Sequence, residues 1–404
     1  MKVLMINGIY GSRSSGRSMK DLTERLRTEG HTVYIATPQQ HCDDVNFYRI
    51  GNMIDHKAHA LLSRVFGKQA YYSRQATKKF LKWMDTIQPD IVHIQVVHGN
   101  FIHFNMLTKY LAKKKIPVTF VLDDCWLFTG KCSHYTSAKC YKWKTGCHHC
   151  PQLNSCNPSW FLDRTPLLWA DKKKAYESLD KYAVVAVSDW LLGEAKQSIM
   201  QTATKMQRIY NSIDMQAFCN KPSRLREKLD LEGKFVVLGV ATLLEESKGL
   251  SLFVKLAETM PKNWRIVLVG GLPENVELPK NVLAVGKTES LEELAEYYSM
   301  ADVFVQMSVE ETFGKVTAEA LSCGTPAVVF DATANPELVG EGCGYVVEPK
   351  NVEQVLESLK KIETNGKQTY TKACRTFIEE NMDKEKVLGS FIELYQELLG
   401  SKKC

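Results

Sequence analysis

The 404-residue sequence lacks any apolar run near the roughly 20 residues that a bilayer-spanning helix needs. Its N-terminus, MKVLMINGIY, is too short for a signal peptide and reads as a first β-strand, so a cytoplasmic protein is expected. The fingerprint G-x-G-x-x-G and the phosphate loop G-x-x-x-x-G-K-[ST] are also missing. The glycine loop GIYGSRSSG, with Gly8, Gly11 and Gly16, matches neither, which disfavours a Rossmann dehydrogenase and a P-loop NTPase. No repeat at solenoid spacing and no low-complexity tract is present, so repeat arrays and disordered tails are set aside.

The composition is that of an ordinary globular protein, 44% hydrophobic and 24% charged, in a chain longer than one core usually serves. Short apolar runs alternate with helical segments. KVLMIN, HTVYIATP, DIVHIQ, PVTFVLDD and YAVVAVS form one series; FVVLGV, RIVLVGG, VLAVG, DVFVQMS and PAVVF form a second. Such alternation implies parallel sheets covered on both faces. The expected fold is α/β, with two Rossmann-like doubly wound domains facing each other across a cleft. Residues 1–215 make the first, with a cysteine-rich insertion at 125–156. Residues 216–380 make the second, and 381–404 a C-terminal helix that packs back on the first.

The formal charge of +6 hides a split. Residues 1–187 carry 27 Lys and Arg against 14 Asp and Glu, while the remainder carries 25 against 32. The first half therefore suits an anionic partner, such as a membrane surface or a phosphorylated lipid, although a solvated basic surface explains any single lysine cluster equally well. Nucleic acid has only this charge in its favour.

The segment SVEETFGKVTAEALSCGTP (Ser308 to Pro326) places Glu311 on a loop leaving a strand. Gly314 stands at the mouth of a helix and Glu319 lies within it; Gly324 and Pro326 punctuate the end. Two carboxylates then flank a helix N-terminus whose unbonded amides suit an anion. In EESKGL, Lys248 and Gly249 open the first helix of the second domain, where an ammonium can reach a phosphate held at the FGKV helix start. Gly11 in the first glycine loop reads either as a flexible turn or as a place where backbone approaches a ligand.

These residues carry a resemblance. SVEETFGKVTAEALSCGTPAVVF resembles the E-x7-E donor motif of retaining GT-B glycosyltransferases of family 4; the Lys-Gly pair and IYNSID fit the same pattern, and the similarity spans essentially the whole chain. DCWLFTGKCSHY…CYKWKTGCHHCPQ resembles a subgroup that builds exopolysaccharide and capsule repeat units, colanic-acid-type transferases among them. The resemblance implies a nucleotide-diphosphate sugar as donor and a carbohydrate or polyprenyl-diphosphate-linked acceptor. It implies that Glu319 holds the ribose, Glu311 the transferred sugar, and Phe313, Gly314, Lys315 and Val316 the sugar and diphosphate through their amides. Lys248 balances the leaving group, and no metal is required for catalysis. Two positions depart from the pattern. Asp123-Asp124 stands where the subgroup has His-Asp, which makes Asp123 a catalytic-site candidate that alters either the donor hydroxyl it reads or the local proton chemistry, and Ser247 replaces an arginine. A nucleotide-sugar epimerase of the same fold, or a degenerate transferase kept as a sugar- or partner-binding module, are the competing readings.

Six of the twelve cysteines fall between 125 and 156. Cys147 and Cys150 have knuckle spacing; with Cys132 and Cys140 they read as a structural zinc site, with free buried thiols as the alternative. In QAYYSRQATKKFLKWM, Tyr72, Ala76, Phe80, Trp83 and Met84 form one helical stripe with Arg74, Lys78, Lys79 and Lys82 away from it. Packing on its own domain is the commoner meaning of such a stripe, and a basic helix meeting an anionic membrane the sharper one.

Overall fold

The computed structural model describes residues 1–40, 42 and 44–400. The chain divides into two compact units. One runs from Met1 to Ile209 and takes up the chain again from Leu388 onward; the other is Tyr210–Val387. The expected border at 215 thus falls a few residues earlier, and the tail rejoins the first unit at 388.

Each unit is built on one parallel sheet. The first comprises β1 (Lys2–Ile6), β2 (Thr32–Thr37), β3 (Phe47–Arg49), β4 (Ile91–Ile94), β5 (Val118–Leu122), β6 (Tyr182–Ala186) and β7 (Lys205–Arg208). Their order is β3-β2-β1-β4-β5-β6-β7. The second comprises β8 (Phe235–Leu243), β9 (Trp264–Gly271), β10 (Val282–Val285), β11 (Val303–Gln306), β12 (Ala327–Phe330) and β13 (Gly344–Val347), ordered β10-β9-β8-β11-β12-β13. The inner strands β4, β5, β6, β11 and β12 are buried along their whole length, which is why they read as unbroken apolar runs. In both sheets the order reverses once, between β1 and β4 and between β8 and β11. Ligands of open parallel sheets bind outside the carboxyl ends of the strands at such points.

The first three helices of the first unit are α1 (Arg13–Thr28), α2 (Met53–Phe66) and α3 (Arg74–Ile87). On α3, Ala76, Phe80 and Met84 are buried, and Trp83 stacks on Tyr48 with ring centroids 4.6 Å apart. Its apolar stripe is therefore core, the commoner of the two expected meanings. The last helix, Lys384–Leu399, carries Tyr395, whose hydroxyl meets Nδ1 of buried His93 in β4 at 2.6 Å. Burial pushes the His93 imidazole down to about 3, so this contact joins two neutral groups. Among the described residues, no helix is long and apolar enough to cross a membrane.

Candidate functional site

Lys248 and Glu311 lie 63 residues apart in sequence and meet where the second sheet reverses its order. After β8 the chain makes a tight turn, Glu246–Lys248, and Gly249 at φ 79° starts the helix Leu250–Thr259. A Cβ on Gly249 would fall 2.7 Å from the carbonyl oxygen of Met307, so only glycine lets this turn press against the chain leaving β11. Ser308 Oγ donates to Ser247 O at 3.2 Å across the same seam. Lys248 Nζ then reaches Glu311 Oε1 at 2.5 Å, and Gln306 Nε2, from the last residue of β11, donates to the same oxygen at 2.8 Å. Glu311 Oε2 receives no hydrogen bond from the described residues. The lysine side chain is 34% exposed and the glutamate 16%, so the pair is half-dry and open on one side. The Glu311 amide donates to Thr333 Oγ1 at 2.9 Å, which fixes the loop beneath it.

Gly314, at φ 90°, caps the helix Lys315–Ser322. Next to it lie two buried oxygens, Thr317 Oγ1 and Asn335 Oδ1, without a hydrogen-bond partner among the described residues. They stand 3.6 and 3.7 Å from where a Cβ on Gly314 would be. Orphaned polar atoms at this depth cost stability unless something satisfies them, and here they adjoin an amide-lined helix start. Thus a carboxylate oxygen, an ammonium, helix amides and unused acceptors converge at one sheet end.

The other expected residues are placed differently. Phe313 is buried and packs its ring 5.7 Å from that of Tyr210. Lys315 and Val316 are half-buried on the first helical turn. Glu319 is only 2% exposed, and its Oε2 accepts from the Tyr298 hydroxyl at 3.1 Å. The inner face of this short helix packs against β11 and β12, which turns the side chain towards the interior. Gly11 (φ 73°) donates its amide to Gly16 O at 2.8 Å, so that N–H is committed to its own turn. Asp123 follows β5 in the first unit, half-buried. Its neighbour Asp124 bonds His98 Nε2 at 2.8 Å, with Trp126 N donating to its other oxygen. Gln306, Thr333, Thr317 and Asn335 were not singled out from the sequence. Gln306, the one polar residue of a buried strand, carried the only usable signal.

Cys132, Cys140, Cys147 and Cys150 line one cavity of about 20 Å³. Cys147 Sγ accepts from Gly130 N at 3.2 Å, and the Cys132 thiol, hydrogen-bonded to Cys150, pushes the latter down to about 6. Yet among the described residues no three thiols, imidazoles or carboxylates are placed to hold a metal ion. Two buried lysines pin the segment. Lys131 donates to Gln152 O and Leu153 O at 2.8 and 2.6 Å; Lys172 donates to Trp126 O and Thr129 O at 2.5 and 2.9 Å.

Residues 15–217 match the family described as Glycosyltransferase Family 4, and residues 222–381 match Glycosyl transferases group 1. The chain belongs to glycosyltransferase family 4. It is 25% identical to the putative colanic acid biosynthesis glycosyl transferase WcaC of Escherichia coli K12, over 68% of each chain. It is 24% identical to the alpha-monoglucosyldiacylglycerol synthase of Acholeplasma laidlawii, over 91% of this chain and 93% of that protein. The match to N-acetyl-alpha-D-glucosaminyl L-malate synthase of Bacillus anthracis, at 23% identity, covers 54% of this chain and 61% of the relative. The fold is shared with Anabaena Alr3699/HepE, solved in complex with UDP, at a TM-score of 0.68 and 16% identity over 98% of this chain and 100% of that one.

Proposed function

We propose that the chain transfers a sugar from a nucleotide-diphosphate sugar to a growing, lipid-linked polysaccharide unit, with retention of anomeric configuration, at the cytoplasmic face of a membrane. The observation that carries this is the Lys248–Glu311–Gln306 cluster beside the Gly314 helix start. A UDP-bound neighbour and a relative named for colanic acid biosynthesis support the donor class and the polysaccharide product.

The donor's diphosphate sits against the amides of Gly314, Lys315 and Val316. As the anomeric C–O bond breaks, its electron pair leaves with the diphosphate, and negative charge grows where helix amides and the Lys248 ammonium are already oriented. Fixed dipoles of this kind stabilise the transition state more than the ground state. Glu311 Oε2, which accepts no hydrogen bond from the described residues, takes hydroxyls of the sugar. The acceptor oxygen bonds to the anomeric carbon from the face the diphosphate leaves, and its proton passes to the departing phosphate oxygen. Glu311 acts as a positioning carboxylate rather than a nucleophile, because its other oxygen is tied down by both Lys248 and Gln306. The ribose contact expected of Glu319 requires its carboxylate to exchange Tyr298 for the nucleotide.

The test is turnover of UDP- and GDP-sugars, with thermal shift against the free diphosphates as a binding readout. A matched nucleotide diphosphate raises the melting temperature by mass action. Glu311→Gln keeps that shift and loses transfer by about a hundredfold or more. Full transfer by Glu311→Gln, or no shift with any diphosphate, sinks the reading.

A further inference from the structure

Gln306 is a misfit in its strand. β11 is buried from end to end and lies between β8 and β12, with Gln306 beside Val329. Val303, Phe304 and Val305 suit such a place. An amide side chain that is 6% exposed does not, unless it is hydrogen-bonded. The bond it makes is to the candidate site: Nε2 donates to Glu311 Oε1 at 2.8 Å. Lys248 Nζ reaches the same oxygen at 2.5 Å, so two donors share one acceptor, while Glu311 Oε2 takes no hydrogen bond from the described residues.

The two donors differ in what can move them. Lys248 ends the Glu246–Lys248 turn, its side chain is 34% exposed, and it puts a full charge on a long flexible stem. Gln306 is neutral, shorter, and rooted in the last residue of an inner strand. A diphosphate at the Gly314 helix start competes with Glu311 for the ammonium, and competes harder as charge builds on it. Coulomb attraction pulls the lysine that way and leaves a neutral amide where it is.

We infer that Gln306 is the positioning residue for Glu311: it keeps the carboxylate in place when Lys248 is drawn to the diphosphate, so that one lysine serves the resting site and the leaving group in turn. This rests on the transferase reading. Without the amide, Glu311 Oε1 loses both donors as the anomeric bond breaks. The residue is then left with its backbone anchor, the Glu311 amide on Thr333 Oγ1, and the carboxylate is free to turn from the sugar hydroxyls. With the amide in place, the carboxylate stays oriented through the step.

Gln306→Met tests this, because methionine fills a similar volume, suits a buried strand and donates nothing. Single-turnover transfer is expected to fall by about tenfold or more, with the melting temperature of the free protein nearly unchanged. The probes are UDP and UDP-glucose, or GDP and GDP-mannose, whichever pair shifts the unaltered protein. The shift with the bare diphosphate is expected to persist in the variant, and the extra shift given by the sugar to shrink. Gln306→Glu is the second variant. Near neutral pH two adjacent carboxylates compete for Lys248 and transfer falls. Toward acid pH such a pair holds a proton above the usual carboxylate range, a carboxyl donates where the amide did, and the rate recovers relative to the unaltered protein.

Combination with Lys248→Met decides the hand-over. With Lys248 on the diphosphate during bond breaking, Gln306→Met costs the same factor whether or not Lys248 is present, and the two losses multiply. With Lys248 still on Glu311, the amide is redundant: Gln306→Met alone costs less than about twofold, and far more in the Lys248→Met background. That second pattern overturns the inference. So does a Gln306→Glu profile that shows no return at acid pH. Failure of the reading beneath it looks different: the unaltered protein then gives no shift with any diphosphate, and the inference falls with it.

Discussion

Two lysines from different units show how differently one residue type is used. Lys248 is a third exposed and faces a carboxylate at 2.5 Å on a loop at the reversal of the second sheet. Lys172 is 3% exposed and, among the described residues, forms no ion pair. Its ammonium lies 3.4 Å from the centre of the Trp126 ring and bonds the carbonyls of Trp126 and Thr129. The first charge is held where a ligand can draw on it. The second is consumed by the fold, stitching the loop after β5 to the helix Thr165–Glu177. Desolvation shows the cost: burial pushes Lys172 down to about 7. A strongly perturbed group is often a functional candidate, but the perturbed Lys172 is a structural one.

Lys248→Ala puts this contrast under the greatest strain. Removing a preorganised cation from a developing diphosphate charge is expected to slow transfer by about 10²–10³-fold, while the melting temperature moves little because the pair is half-solvated. Single-turnover rates and a thermal melt on the same variant check both halves. A large fall in melting temperature with transfer intact would make Lys248 another Lys172.

Gly249→Ala refines the contrast by moving the lysine without removing it. At φ 79°, with Met307 O 2.7 Å from the added carbon, alanine strains the backbone and pushes the turn off the β11 segment. We expect a stability loss of about 2 kcal/mol and, because Lys248 is carried away from Glu311, a fall in transfer greater than the stability loss explains. Urea melts and kcat measured well below the transition separate the two effects.

Local pattern carried the sheets and the E-x7-E loop. Buried parallel strands are unbroken apolar runs, and glycines at Gly249, Gly314 and Gly324 mark positive-φ turns that no other residue makes cheaply. The edge strands β3 and β7 were not legible. β7 reads KMQR and is half-exposed, so neither composition nor alternation marks it. The burial of Glu319 and the Lys248–Glu311 contact depend on which face of a helix meets which loop, information held in long-range packing. For α3 the apolar stripe correctly meant core, whereas on α2 residues of the same kind and spacing face solvent, because His59 and Ser63 fill the inner seam. Periodicity finds a stripe; it does not say which side is covered.

A subtler measurement reads the buried lysine by pH. In the unfolded chain an ordinary lysine keeps its proton to above pH 10, whereas folded Lys172 loses it near 7. Between those values the unfolded state binds more protons, so stability rises with pH across the window, and the penalty of a buried charge is fully present below pH 7. Lys367, pushed down to about 8 by burial, contributes in the same direction. Comparison with Lys172→Met therefore isolates one group: the unaltered protein gains up to about 1.4 kcal/mol per pH unit more than the variant between pH 7 and 9. Below pH 7 the two profiles run parallel. Parallel profiles through the whole range would mean that the ammonium stays charged in the fold, held by the Trp126 ring and two carbonyls without a net desolvation cost.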